Sequence, residues 1–132
     1  KKIQIEARVL GDLTMNHIIP MATKYQSSLI DNVYKMRELF PADKAAHLSS
    51  KNMEIIEDIA NRTIFIKEKV DEMVNARKIA NKIESEREKA IAYHDQIVPM
   101  MEAIRYHIDK LELVVDDQIW TLPKYRELLF IR

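Results

Sequence analysis

The sequence predicts an all-α fold, an antiparallel bundle of three long, kinked helices with a short aromatic C-terminal tail that packs back on it. One glycine and four prolines among 132 residues, of which 32% are charged, are typical of a mostly helical chain. Apolar residues recur at steps of three and four along three long stretches. Each stretch alone would expose an apolar stripe to water, so the three must pack together. We interpret residues 1–132 as a single helical domain.

The first helix is predicted from about residue 3 to residue 40. Gly11 lies inside it, at a cost of about 1 kcal/mol relative to alanine. Pro20 lacks an N–H and crowds the carbonyl of Asn16, so we expect a kink there. The pattern breaks at Pro41. The apolar stripe of this helix consists of Val9, Leu13, Ile18, Ala22, Tyr25, Leu29, Val33, Met36 and Phe40.

The second and third helices have the most regular patterns. A heptad-like stripe runs through the second without a slip, as in antiparallel bundles. Pro99 is a second expected kink. The second stripe consists of Ile56, Ile59, Thr63, Ile66, Val70, Met73, Arg77 and Ala80. The third consists of Ala90, His94, Ile97, Met101, Ile104, Ile108, Leu111 and Val115.

A turn is predicted within "NKIESERE", residues 81–88. An uninterrupted helix from 51 to 117 would be about 100 Å long, too long for one compact domain. Asn81 can end the second helix. Ser85 and Glu88 have the capping-box spacing that starts the next one.

Composition limits the classes of function. Lys+Arg and Asp+Glu balance at 21 each, so no large net field would attract nucleic acid or an anionic membrane. There is no cysteine, hence no disulfide or thiolate site, which fits a cytoplasmic location. No apolar run approaches the roughly 20 residues that cross a bilayer. Since the chain opens at Lys1 within an amphipathic pattern, we interpret it as a fragment of a longer chain.

The four histidines do not form a recognisable metal motif. A di-iron site in a bundle uses Glu-x-x-His on two helices, whereas Thr14, Lys44, Ile91 and Ile104 precede the four histidines by three positions. We interpret His94 as a core histidine bonded to a neighbour. His107, followed by Lys110, resembles a phosphotransfer histidine only faintly. One glycine cannot build a phosphate loop. We therefore predict no catalytic, cofactor-binding or metal-binding residue. The four histidines are His17, His47, His94 and His107.

The tail "DDQIWTLPKYRELLF", residues 116–130, differs in composition from the rest of the chain and contains its only tryptophan. Aromatic side chains at interfaces combine apolar area with a polar group. We expect the tail to pack across the open end of the bundle or onto another domain. The interface or packing candidates are Trp120, Leu122, Pro123, Tyr125, Leu128 and Phe130.

Both ends of the chain resemble a known family. "ARVLGDLTMNHIIPMATKYQSSLIDNV" (7–33) and "IRYHIDKLELVVDDQIWTLPKYRELLF" (104–130) resemble the C-terminal helical domain of type III glutamine synthetases, the large-subunit bacterial form. The resemblance implies a parent that ligates ammonia to glutamate in nitrogen assimilation, using ATP with Mg or Mn. It further implies a homo-oligomeric double ring. None of the family's metal ligands or nucleotide motifs matches a position here.

The sequence and the resemblance together lead to two hypotheses about function. The first is a non-catalytic accessory domain that contacts the rest of the glutamine synthetase subunit and its neighbouring subunits. The alternative is a free-standing helical interaction module that binds a partner helix in a groove. An independent enzyme or phosphotransfer bundle is a third class, for which the sequence contains no matching set of residues.

Overall fold

The computed structural model describes residues 2–115, and within that range all regular structure is helical. The predicted all-α class is therefore confirmed. The described part of the chain forms four helices rather than the three predicted. The additional helix is short and lies between the first and second long helices, where the sequence suggested a break at Pro41.

The first long helix contains a widened turn. It comprises α1 (Lys2–Leu13), a π-helical segment (Thr14–Ile18) and α2 (Ile19–Leu39). The N–H of Ile19 donates to the carbonyl of Thr14, five residues back instead of four. This arrangement precedes Pro20, whose ring would crowd the preceding turn of a regular α-helix. The π-helical segment ends two residues before Pro20, and the kink expected at this proline stays a prediction.

Two breaks separate the first long helix from the second. Phe40 is extended, with φ −120° and ψ 157°, because a residue before proline is disfavoured in the helical region. Pro41 then begins the short α3 (Ala42–Leu48). The second long helix, α4 (Ser50–Asn81), follows after Ser49 and runs for 32 residues. Its length is about 48 Å.

The third long helix repeats the design of the first. It comprises α5 (Glu86–Ala92), a second π-helical segment (Tyr93–Ile97) and α6 (Val98–Val114), and Pro99 follows the wide turn just as Pro20 does. The N–H of Val98 donates to the carbonyl of Tyr93, again five residues back.

The turn before α5 is the one predicted. The second long helix ends at Asn81, and α5 begins after Ser85, whose backbone is extended. The Ser85 hydroxyl oxygen accepts the backbone N–H of Glu88 at 3.3 Å.

Cross-helix hydrogen bonds define the relative directions of the helices. Gln4 near the start of α1 bonds to Asn81 at the end of α4, and Asn32 of α2 bonds to Asn52 near the start of α4. The first and second long helices therefore run in opposite directions. Asn81 also bonds to Tyr93, whereas Arg62 in the middle of α4 bonds to His107 of α6. The third long helix is thus antiparallel to α4 as well.

Most of the predicted stripe on α4 is core. This helix has no proline and no π-helical segment, so its side chains keep one phase throughout. Ile56 and Arg77 are half-buried. The buried positions are Ile59, Thr63, Ile66, Val70, Met73 and Ala80.

The stripe predicted at the start of the first helix is wrong. Val9 is 53% exposed, whereas Ala7, Leu10 and Thr14 are buried. The predicted stripe took a five-residue step from Leu13 to Ile18. Regular steps of four and three residues backwards from Ile18 lead instead to the buried positions, so Val9 was placed on the wrong face.

The second wide turn makes the prediction for His94 wrong. This histidine lies in the second π-helical segment, and its side chain is 77% exposed. Its neighbour Tyr93 occupies the interior position instead, 3% exposed. After the wide turn the predicted phase is regained, and the buried positions are Ile97, Met101, Ile104, Ile108, Leu111 and Val115.

The C-terminal tail lies outside the described residues, and with it all six interface or packing candidates from Trp120 to Phe130. Within residues 2–115, no helix combines the length and the apolar character that crossing a membrane requires.

Candidate functional site

The histidines are dispersed over the described part of the chain. His17 and His47 are exposed on the first π-helical segment and on α3. His94 faces solvent with its Nδ1 3.1 Å from a carboxylate oxygen of Asp95. Among residues 2–115, no group of three or more His, Cys, Asp or Glu side chains has the arrangement to hold a metal ion.

His107 belongs to a polar cluster between α4 and α6. Arg62 Nε lies 3.0 and 3.1 Å from the two carboxylate oxygens of Asp58, and Arg62 Nη1 lies 3.0 Å from His107 Nδ1. A guanidinium can only donate, so Nδ1 accepts and the neutral ring carries its proton on Nε2. The ring packs against Phe65, with centroids 4.3 Å apart.

The environment of His107 favours its neutral form. Burial lowers the pKa of His107 from its ordinary 6.5, the charge of Arg62 lowers it further, and Asp58 partly opposes both. Lys110, which the phosphotransfer hypothesis places beside His107, instead lies over the ring of Tyr106. Since Nδ1 is held by Arg62, this cluster connects two helices and offers no free nucleophile there.

A second polar cluster joins all three long helices at the end where α1 begins and α4 ends. Asn81 Oδ1 accepts from Gln4 Nε2 at 2.9 Å and from the buried Tyr93 hydroxyl at 2.6 Å. These two bonds fix the side chain of Asn81 between its neighbours on α1 and on the second π-helical segment.

A groove of about 350 Å³ opens beside this cluster. We call it the basic groove, because three of its lining residues are cations and none is an acid. Arg8 comes from α1, Arg77 from α4 and Lys89 from α5. The other lining residues are Gln4, Ile5 and Asn81.

Sequence reasoning missed the basic groove. Its residues are far apart in the chain and converge only when three helices pack. The one available signal was Arg77, a cation at a position of the otherwise apolar stripe on α4. A charged residue at such a position indicates that the stripe is open to polar surroundings there.

Comparison with known proteins relates this chain to one enzyme family. A family model described as the glutamine synthetase C-terminal domain matches residues 1–37, which include α1, the first wide turn and most of α2. A glutamine synthetase of Bacteroides fragilis (strain YCH46) is 49% identical over 131 residues, which cover 99% of this chain. The chain is a glutamine synthetase C-terminal domain.

A more distant relative extends the match. The type-3 glutamine synthetase of Dictyostelium discoideum is 29% identical over 136 residues, which cover all of this chain. The chain spans about a fifth of the length of these curated relatives, 18% in each case. The resemblance noted at the two ends of the sequence is therefore confirmed, and it extends through the middle of the chain.

Within the described part of this glutamine synthetase C-terminal domain, the polar clusters connect helices. Arg62 and His107 join α4 to α6, and Asn81 joins α1, α4 and the second wide turn. Both arrangements fix how the helices pack. The basic groove is different, since its cations line open space.

Proposed function

We propose that this chain is a non-catalytic accessory domain of a type III glutamine synthetase and serves structure and contacts within and between subunits. The parent would ligate ammonia to glutamate with ATP and Mg or Mn, in the cytoplasm, as a homo-oligomeric double ring. The proposal rests on how much of this chain and how much of its relative the match includes. The match includes 99% of this chain but only 18% of the Bacteroides fragilis relative, so the remaining 82% is available for the chemistry.

The chemistry of the described residues supports the same proposal. Ligation with ATP needs metal-binding carboxylates and groups that hold phosphates. No cluster with metal-ligand arrangement occurs among residues 2–115, and the acidic side chains in ion pairs there are bound to nearby cations on helix surfaces. Such pairs are typical of solvated helix faces.

Deletion in a relative tests the proposal. The segment of the Bacteroides fragilis glutamine synthetase that corresponds to this chain is removed, and particle mass and glutamine formation are measured. We expect a smaller particle. Glutamine formation should fall only in proportion to the fraction of subunits that no longer assemble. Adding back the 132-residue chain should restore part of the mass.

Two outcomes contradict the proposal. An unchanged particle mass with full activity would indicate a free-standing interaction module. A stoichiometric micromolar ATP site in the isolated 132-residue chain, measured by calorimetry with magnesium, would indicate a catalytic part.

A further inference from the structure

The basic groove brings three cations to one opening, and none of the residues that line it is an acid. Arg8, Arg77 and Lys89 come from three separate helices, so their meeting is a result of the tertiary fold. Like charges that share a groove repel each other, and they repel more strongly where the surrounding protein reduces screening. The chain as a whole is neutral, with 21 basic and 21 acidic residues, so this cluster is a local excess.

Two of these cations lack a partner among the described residues. Neither Arg8 nor Arg77 forms an ion pair or a side-chain hydrogen bond in that range, and Arg77 Nε is buried without an acceptor. Asp12 and Asp71 line the adjoining groove beside the same two arginines but pair with neither. A buried donor without an acceptor is unfavourable.

Lys89 is the partly compensated member of the group. Its Nζ lies 3.7 Å from a carboxylate oxygen of Glu86, one turn earlier on α5. Glu86 itself lines a neighbouring hollow and not the basic groove. An ion pair of this length with an exposed acid is weak, so Lys89 remains available to an anion in the groove.

One polar side chain in the wall of the groove is already oriented by hydrogen bonds. Asn81 Oδ1 already accepts from Gln4 and Tyr93, so only its Nδ2 group, a donor, is left for the groove. The polar groups that line the opening from Arg8, Arg77, Lys89 and Asn81 are therefore donors, three of them charged. The Asn81 amide, which two hydrogen bonds hold, loses little freedom on binding, whereas the exposed Arg8 must be ordered by the ligand.

We propose that the basic groove binds a small molecule bearing an oxyanion, a carboxylate or a phosphate group. Arginine side chains bind both groups through paired N–H donors. The volume of about 350 Å³ suits a small molecule. This inference does not depend on the function proposed above, because it rests on the groove alone.

Titration of the 132-residue chain tests the inference. Inorganic phosphate and citrate serve as probes in separate titrations, with ionic strength held constant by sodium chloride. The readouts are the NMR resonance of the Arg77 Nε–H group and the melting temperature. We expect a saturable shift of that resonance in the millimolar range or below. The melting temperature should rise with ligand concentration, because the unfolded chain has no such site.

Three variants and one control establish where the probe binds. Arg8→Gln and Arg77→Gln should each weaken binding about tenfold, as expected for loss of a charge-assisted pair. Lys89→Gln should weaken it less. Arg37→Gln removes the same charge from an exposed position on α2 and should leave the affinity unchanged. Circular dichroism checks that each variant is folded. If Arg77→Gln does not fold, the other two groove variants decide.

The outcomes separate the ligand classes and can overturn the inference. Saturation by phosphate alone assigns the groove to phosphate groups, and saturation by citrate alone assigns it to carboxylates. The inference is overturned if neither probe saturates. It is also overturned if Arg37→Gln weakens binding as much as Arg8→Gln, because general screening would then explain the response.

Discussion

His107 shows how a single polar contact between helices makes stability depend on pH. Its pKa is lowered by burial and by Arg62, so the unfolded chain binds more protons than the folded one between the folded pKa and 6.5. Stability therefore rises with pH across that window. The contribution of neutral His107 to the free energy of unfolding is fully present above pH 6.5. It is lost as pH falls through the pKa of His107 in the folded chain.

The test is a series of urea melts between about pH 5 and pH 7.5, the range in which a histidine titrates. His107→Gln should flatten the rise in unfolding free energy with pH, because glutamine does not titrate. His47→Gln, an exposed position on α3, should leave the rise intact. An NMR pKa of His107 at or above 6.5 would contradict the expectation.

Ile66 is a fully buried residue of the α4 stripe, at 0% exposure. Ile66→Ala should lower the unfolding free energy by about 2–5 kcal/mol, because the cavity cost adds to the lost transfer energy. Ile64 is a matched control two positions away on the same helix and 56% exposed. Ile64→Ala should cost less than about 1 kcal/mol, as surface sites do. Equal losses at the two positions would mean that burial does not set their contributions.

At the scale of elements, the turn between α4 and α5 contains a side-chain cap. Ser85 caps α5 through the backbone N–H of Glu88. Ser85→Ala should cost about 1 kcal/mol, since a helix donor loses its acceptor. Ser27→Ala in the middle of α2, at an exposed position, should be neutral or slightly stabilising. Thermal melts compare the melting temperatures of both variants with that of the unchanged chain. If Ser85→Ala does not lower the melting temperature, helix packing and not the cap stabilises the turn.

The helical stripes and caps show which features of the elements could be predicted from the sequence. The stripe on α4 was predictable because no proline and no extra residue disturbs its phase. The cap at Ser85 was predictable because it is local chemistry. His94 was placed wrongly because it lies in a π-helical turn, which periodicity alone does not locate. Val9 was placed wrongly because the predicted stripe took a five-residue step from Leu13 to Ile18. The proline two residues beyond each wide turn was the available signal.

The basic groove could not be predicted from the sequence, for a different reason. Its three cations lie on α1, α4 and α5, and nothing in the local sequence around Arg8 or Lys89 distinguishes them from other surface cations. Their convergence is a property of helix packing. It becomes visible only when the register between the long helices is known.

At the scale of the whole molecule, the tail from Trp120 to Phe130 carries the remaining prediction. Truncation after Asp117 removes Trp120, Tyr125 and Phe130, which can bury about 150–250 Å² each. We expect the truncated chain to melt at a lower temperature and Trp120 of the intact chain to have blue-shifted fluorescence. Unchanged melting together with solvent-like fluorescence would favour a tail that docks elsewhere in the parent subunit.

The two wide turns also have a consequence for how sequences of this domain can diverge. Each turn holds one residue more than a regular helix needs, and each is followed by a proline. A relative that lacks the equivalent of Pro20 should therefore also be one residue shorter between Thr14 and Ile18. The two changes compensate for each other, so removal of Asn16 together with Pro20→Ala should be better tolerated than either change alone. Each inserted residue and the proline that follows it would then be kept or lost together, at both wide turns of the chain.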